Sequence, residues 1–261
     1  MAEFIKARMW LLGIATSLVF LALWQISPTL GWIDPQLVPP ATAVIHRFIV
    51  QWFDPSFYHD LAQTIIRVGG GFVLAAAISI PAGLAMGYWS VAHRMFALTV
   101  EVIRPIPASA LVPIAALIFG IGNMMHISVV FLAAFVPILL ASIDGVRTVD
   151  PIFVSTAKVF KRSTWDIFRT VLLPATLPHI VTGLRIAIAI SLVVGISSEM
   201  VMSADGVGRR VVFAQRTLRI ADLYAGVVTL ALLGYLFNRL FLTLEHKILA
   251  WHRQSVAKSW A

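Results

Sequence analysis

Residues 124–141 read MMHISVVFLAAFVPILLA, eighteen positions without one Asp, Glu, Lys or Arg. Coiled as a helix, such a run approaches the length needed to cross about 30 Å of hydrocarbon. Similar apolar blocks lie on either side, at residues 10–30, 68–88, 98–119, 183–202 and 221–242, so six spans are the most economical parse. Composition agrees: 59% of residues are hydrophobic and 12% are charged, against about 25% charged in a soluble domain. The chain lacks the charge to clothe a water-facing surface. The expected fold class is an all-α integral membrane protein, with one transmembrane domain over residues 1–261.

The blocks are not uniform. Pro81 predicts a kink in the second. Glu101, Arg104, Pro105, Pro107 and Pro113 predict that the third is irregular at its start, and Gly120-Ile121-Gly122-Asn123 reads as a tight turn before the fourth. Lys6 and Arg8 before the first block also suit a secretory signal, but no small-x-small cleavage site follows and more spans come after it. It reads as a first membrane helix.

Charge sets the expected orientation. The 20 Lys and Arg outnumber the 12 Asp and Glu, a net charge of +8. These cations lie mostly between apolar blocks, where headgroup contact and the positive-inside bias explain them without nucleic acid. The absence of Cys excludes disulfide and thiol chemistry. Residues 33–67 hold Asp34, Asp54 and Asp60 against Arg47 and Arg67 and read as outside. Residues 144–185 hold Arg147, Lys158, Lys161, Arg162, Arg169 and Arg185 against Asp144, Asp150 and Asp166 and read as cytoplasmic. The tail, with Arg239, Lys247, Arg253 and Lys258 against Glu245, reads the same way. Both termini are then cytoplasmic. Residues 203–220 resist this scheme, because Arg209, Arg210, Arg216 and Arg219 outweigh Asp205 in a segment placed outside. On the outer side, Val44, Ile45, Phe48 and Trp52 predict an amphipathic segment over about 41–60 that lies on the membrane surface.

The loop over about 144–182 carries the most information. Asp150 can cap a helix that begins at Pro151, with Ile152, Phe153, Thr156, Ala157 and Phe160 on one apolar face. Ser163 and Asp166 have capping-box spacing for a second helix. Trp165, Phe168, Val171 and Leu172 continue an apolar face until Pro174 and Pro178 close the segment. Such a pair either folds against its own spans or docks into a cytosolic partner, for which exposed Phe and Trp beside cations are suitable.

At these residues the chain resembles the transmembrane subunit of binding-protein-dependent ABC importers, in the branch of aliphatic sulfonate, taurine and nitrate permeases. That family's coupling motif begins Glu-Ala-Ala, carries a Gly four residues after the second Ala, and ends aliphatic-x-Leu-Pro. Here Ser155-Thr156-Ala157 stands at the start, Lys161 at the glycine, and Val171-Leu172-Leu173-Pro174 at the end. Pro39-Pro40, Arg104-Pro105-Ile106-Pro107, Phe119-Gly120-Ile121-Gly122, Gly145-Val146-Arg147 with Asp150-Pro151, Ala175-Thr176-Leu177-Pro178, Gly183-Leu184-Arg185 and Ser198-Glu199-Met200 continue the likeness. The resemblance implies a type I importer permease fold in a bacterial inner membrane. It implies a second permease subunit of identical sequence, two cytoplasmic ATP-binding subunits, and a periplasmic or lipid-anchored solute-binding protein. ATP and Mg are expected on those partners, with no cofactor on this chain. Ser155, Thr156, Ala157, Phe160, Lys161, Trp165, Phe168, Leu173 and Pro174 are the implied ATPase contacts. The cargo implied is a sulfonate, taurine, nitrate or related anion, although members also carry heterocyclic nutrients. Because a Lys enters a left-handed turn only at a cost, Lys161 predicts either a wider turn or an altered ATPase groove.

Other chemistry is sparse. No Gly-x-x-x-x-Gly-Lys-Ser/Thr loop is present, and Gly69-Gly70-Gly71 suits helix packing or a bend. The His residues have no metal-binding spacing, and His126 reads as interfacial or internally hydrogen-bonded. Glu199 is either a functional intramembrane acid or an interfacial residue that pairs with Arg209 or caps neighbouring amides. Glu101 and Arg104 have helical pairing distance. Arg104, Pro105, Pro107 and Glu199 are the candidates for pathway or gating roles. A self-contained secondary transporter or channel would need an ion-coupling or pore site. A membrane enzyme would need convergent nucleophile, acid–base or metal groups, which the sequence does not assemble.

Overall fold

The computed structural model describes residues 2–249, with side chains from residue 12 onward. Lys258 and Arg253, and the side chains of Lys6 and Arg8, lie outside what is described. Every regular element among the described residues is helical. Among the described residues, five helices are long and apolar enough to cross a membrane, or six if one bent pair is a single span.

Helix α1 (Ala2–Thr29) is followed by α2 (Ala41–Val50) and a 3₁₀ turn at Gln51–Phe53. The second span, α3 (Pro55–Tyr88), starts thirteen residues earlier than hydropathy places it. Asp54 accepts a hydrogen bond from the Ser56 N–H at 3.0 Å and Pro55 occupies the first turn, so the helix is capped well before its apolar run. At about 1.5 Å per residue it is roughly 51 Å long. The expected outer segment therefore ends near residue 53, and Asp60 and Arg67 are helical residues rather than loop charges.

The third span is broken rather than merely irregular. Helix α4 (Ser90–Ile103) meets the segment Ala108–Phe119, which contains α5 (Val112–Phe119), at 85°. Arg104-Pro105-Ile106-Pro107 forms the break, where two residues lack an N–H for the helical ladder. Helix α6 (Asn123–Arg147) is the fourth span. After α7 (Pro151–Val159), one continuous helical stretch runs from Thr164 to Val201. It comprises α8 (Thr164–Ile167), a π-helical turn at Phe168–Leu172, and α9 (Leu173–Val201). Pro174 and Pro178 thus do not close the segment. The π turn shifts the hydrogen-bond register immediately before Pro174, which absorbs its missing N–H. Helices α10 (Val207–Arg216) and α11 (Ile220–Ile248) are the last two among the described residues.

Helices α3, α6 and α9 form the interior. Their backbones approach closely at Gly71, where an added Cβ would fall 2.6 Å from the Val130 Cβ, and at Gly83, where it would fall 2.4 Å from the Ser142 Cβ. Of the Gly69-Gly70-Gly71 run, Gly71 is the tightly packed member. At its C-terminal end α1 meets the α2 region, with the Trp24 indole N–H donating to the Pro39 carbonyl at 3.1 Å. Much of the surface of α4 and α5 is bare and apolar, including Leu98, Ile114, Leu117 and Ile118.

Candidate functional site

The two ends of the helical core carry different chemistry. At one end α7, the following turn and α8 form a hairpin. Asp150 caps α7 by accepting from the Ile152 N–H at 2.8 Å. Ser163 accepts from the Asp166 N–H at 3.1 Å, and the Asp166 carboxylate accepts from the Ser163 N–H at 3.3 Å. Between them Lys161 has φ 54°. Its N–H donates to the Lys158 carbonyl at 2.9 Å, and the Arg162 N–H donates to the Ala157 carbonyl at 3.1 Å. These two bonds make a Schellman C-cap, the motif that glycine ordinarily closes. The turn is therefore not widened. Lys161 itself takes the left-handed conformation.

Each expected apolar face of the hairpin divides in two. Val154 and Ala157 turn inward onto a cluster that includes Leu84, Val146, Ile167 and Leu172. Phe168 stacks against Tyr88 and Trp89, with ring centroids 5.1 and 5.3 Å away. Phe160 and Trp165 point away, 74% and 73% exposed, and Ile152 and Phe153 are exposed beside them. Ser155, Thr156 and Lys161 share the exposed side, Leu173 is exposed, and Pro174 is half-buried. Internal packing thus claims Ala157 and Phe168. It leaves the aromatics on either side of the Lys161 turn uncovered.

The opposite end is a buried ionic network. Arg67, on α3, is 3% exposed, and Glu199, on α9, is 1% exposed. The Arg67 guanidinium donates to Glu199 Oε1 at 3.0 Å, to Asn123 Oδ1 at 2.8 Å and to the Asp205 carbonyl at 3.0 Å, and it also pairs with the Asp205 carboxylate. Glu199 accepts further bonds from the Thr64 hydroxyl at 2.9 Å and the Gly208 N–H at 3.0 Å. The partner of Glu199 is therefore Arg67, not Arg209. A buried charge of this kind is tolerable because its lone pairs are occupied. His126 lies in the same interior, with Nδ1 2.8 Å from the Ser198 hydroxyl.

Residues 203–220 join this end through α10. Arg210 donates to Asp60 at 2.5 Å, to Asp54 at 2.5 Å and to the Ser56 hydroxyl at 2.6 Å. Hydrogen bonds from Arg210 and Ser56 hold the Asp54 carboxyl below the usual carboxylate range. Arg219 lies 3.7 Å from Asp222. Part of the basic excess that defied the loop count is thus neutralised by acids from other segments on the same side. Gly206 enters α10 with φ 107°, and a Cβ there would lie 2.5 Å from the Glu199 carboxyl carbon. Its N–H donates to Asp60 at 2.8 Å.

The structure separates the remaining candidates. Arg104, Pro105 and Pro107 are exposed at the break in the third span, remote in the chain from the Arg67–Glu199 pair. Glu101 and Arg104 form no ion pair within 4 Å, although Arg104 keeps helical backbone angles and its N–H donates to the Val100 carbonyl at 2.9 Å. Loop-charge counting missed Arg67, Asp60 and Thr64 as site residues. Their signal was Asp60, Thr64, Arg67 and Gly71 at intervals of four, three and four, one stripe of a helix.

Residues 51–249 match the family described as binding-protein-dependent transport system inner membrane component. The chain belongs to this family. The taurine transport system permease protein TauC of Escherichia coli (strain K12) is 28% identical over 251 residues, covering 94% of this chain and 91% of TauC. The bicarbonate transport system permease protein CmpB of Synechococcus elongatus is 31% identical over 250 residues, covering 92% and 89%. A chain from inward-facing structures of the MetNI methionine ABC transporter shares the fold. Its TM-score is 0.65 at 17% identity, covering 73% of this chain and 95% of that one. The protein is accordingly a multi-pass ABC importer permease with the type I fold, a membrane subunit that is not itself catalytic. Its family works with ATPase and solute-binding partners, and in bacteria such a permease resides in the inner membrane. Membership selects this role over a self-contained secondary transporter or channel.

Proposed function

We propose that this permease carries a small anion of the sulfonate or bicarbonate type inward, driven by ATP hydrolysed with Mg on two separate cytoplasmic subunits. The observation that carries the coupling assignment is the exposure of Phe160 and Trp165 on either side of the rigidly capped Lys161 turn. Large aromatics held outward by a hydrogen-bonded frame suit a partner groove, and Lys161 and Arg162 beside them suit acidic groups there. Ser155, Thr156 and Leu173 extend the same contact, while Ala157, Phe168 and Pro174 brace it from behind. The basic hairpin end faces the cytoplasm, with both termini on that side. A second, identical permease covers the bare apolar surface of α4 and α5. The Arg104–Pro107 break serves as a gating bend, and Glu199 fixes the outer end of the pathway. Relatives that carry taurine and bicarbonate support the anionic cargo.

Titration of purified wild-type, Phe160→Ala and Trp165→Ala permease with its ATPase tests the coupling surface. Each exchange should weaken docking by roughly 1–3 kcal/mol while leaving thermal stability unchanged. Wild-type affinity in both folded variants would remove the assignment.

A further inference from the structure

A cavity of about 350 Å³ opens at the outer end, between the end of α9 and one face of α10. Met200, Met202, Ser203, Arg209, Phe213 and Arg216 contribute to its wall. Arg209 and Arg216 are seven residues apart, two helical turns, and so project from the same face of α10. Neither lies within 4 Å of a carboxylate among the described residues, and neither side chain donates a hydrogen bond to a described group. Glu199 also borders the cavity, but its charge is engaged by Arg67.

The neighbouring cavity, of about 480 Å³, sharpens the contrast. It is lined by Arg47, Arg210 and Arg219 as well as Arg209, but there Asp54, Asp60 and Asp222 stand opposite the first three. Its cations are largely matched. Those of the smaller cavity are not: Arg209 and Arg216 are exposed, with the apolar side chains of Met202, Val212 and Phe213 beside them. Clefts of one sign with low-dielectric walls concentrate the opposite ion. The guanidinium fork also matches planar or tetrahedral oxyanions, bidentately where geometry allows. The volume lies within the range of small-molecule sites, about 300–1,000 Å³.

We infer that this cavity is an anion-receiving site, in which Arg209 and Arg216 hold a small sulfonate- or carboxylate-bearing solute before it enters the membrane interior. The assignment of the solute as cargo rests on the anionic cargo proposed above. The site itself rests on the unmatched arginines.

The Cys-free sequence permits a direct test in the complete transporter, held in phosphatidylcholine nanodiscs. Ala204→Cys places a thiol in the cavity wall, and Thr42→Cys places one on the outer surface away from it. Each is labelled with a methanethiosulfonate bearing a sulfonate and with one bearing a trimethylammonium, read on the permease band. The anionic reagent should be favoured at Ala204→Cys over Thr42→Cys by about tenfold. Arg209→Gln/Arg216→Gln should abolish the preference, and Arg209→Lys/Arg216→Lys should retain most of it. Millimolar ethanesulfonate should slow labelling at Ala204→Cys in the arginine protein and not in the glutamine variant. Equal reagent ratios at the two positions, or a ratio indifferent to the glutamine exchanges in a protein that elutes as wild type, would overturn the site. Protection by phosphatidylglycerol but not by ethanesulfonate would overturn it in favour of a lipid headgroup site. Uptake of taurine, ethanesulfonate and bicarbonate by proteoliposomes separates the two proposals. Expected labelling without uptake of any of these anions supports the site and removes the cargo assignment. Anion uptake with indifferent labelling does the reverse.

Discussion

The buried ionic network and the hairpin use charge in opposite ways. In the network Arg67 and Glu199 are withdrawn from solvent and tied to α3, α6, α9 and the segment before α10. In the hairpin Lys161 and Arg162 remain exposed, and the buried material is aliphatic and aromatic. The network charges define one arrangement of four segments, because an uncompensated partner in that interior is costly. The hairpin charges constrain little within the chain. Buried polar groups here specify the permease's own geometry, whereas exposed aromatics beside cations form the proposed contact with a partner.

The comparison breaks first at Arg67. Arg67→Met leaves Glu199 and Asp205 without their cation and should destabilise the detergent-solubilised protein by about 3–5 kcal/mol. Combining it with Glu199→Gln should recover part of that loss in chemical unfolding. A loss below about 1 kcal/mol in the single variant would show that the network does not fix this end of the helical core.

Gly206→Ala probes the same end without removing a charge. The left-handed backbone should cost about 1–3 kcal/mol, and the overlap with the Glu199 carboxyl adds to it. A midpoint of thermal unfolding equal to wild type would mean that the segment before α10 relaxes freely. The Phe160 and Trp165 exchanges fall next in size and on the other side of the comparison, since they should lower partner affinity with no loss of stability.

The smallest effect is expected at Lys161. Glycine removes the left-handed penalty at that turn, so Lys161→Gly should stabilise the permease by about 1 kcal/mol. The same exchange removes a cation from the exposed face and should weaken ATPase docking slightly. Unchanged or lower stability would show that the Lys side chain compensates for its own backbone strain.

Local signals were legible and proved accurate where the physics was local. Asp150 with Pro151, and Ser163 with Asp166, cap helices because their partners lie two or three residues away. Proline misled in one direction: Pro105 and Pro107 break a span, while Pro174 and Pro178 lie in a continuing one. The difference is the π turn at Phe168–Leu172 and the burial of Leu172 and Ile180 against neighbouring helices, neither of which a proline announces. Hydropathy also began α3 too late, because it weighs apolar content and overlooks the Asp54 cap that starts the helix among polar residues.

By itself the sequence determined a multi-span helical membrane protein, since lipid demands long apolar helices with satisfied backbones and no other solvent suits this composition. It also determined the hairpin caps and, through its ordered motifs, the importer family. Only the tertiary structure decided which charges meet. Arg67 and Glu199 are 132 residues apart, and Arg210 and Asp60 are 150 apart. The structure likewise decided which aromatics remain exposed, because Phe160, Trp165 and Phe168 are equally apolar and only the position of Tyr88 and Trp89 covers the last. Pairing and burial depend on the packing of distant helices, and chain order does not encode those distances.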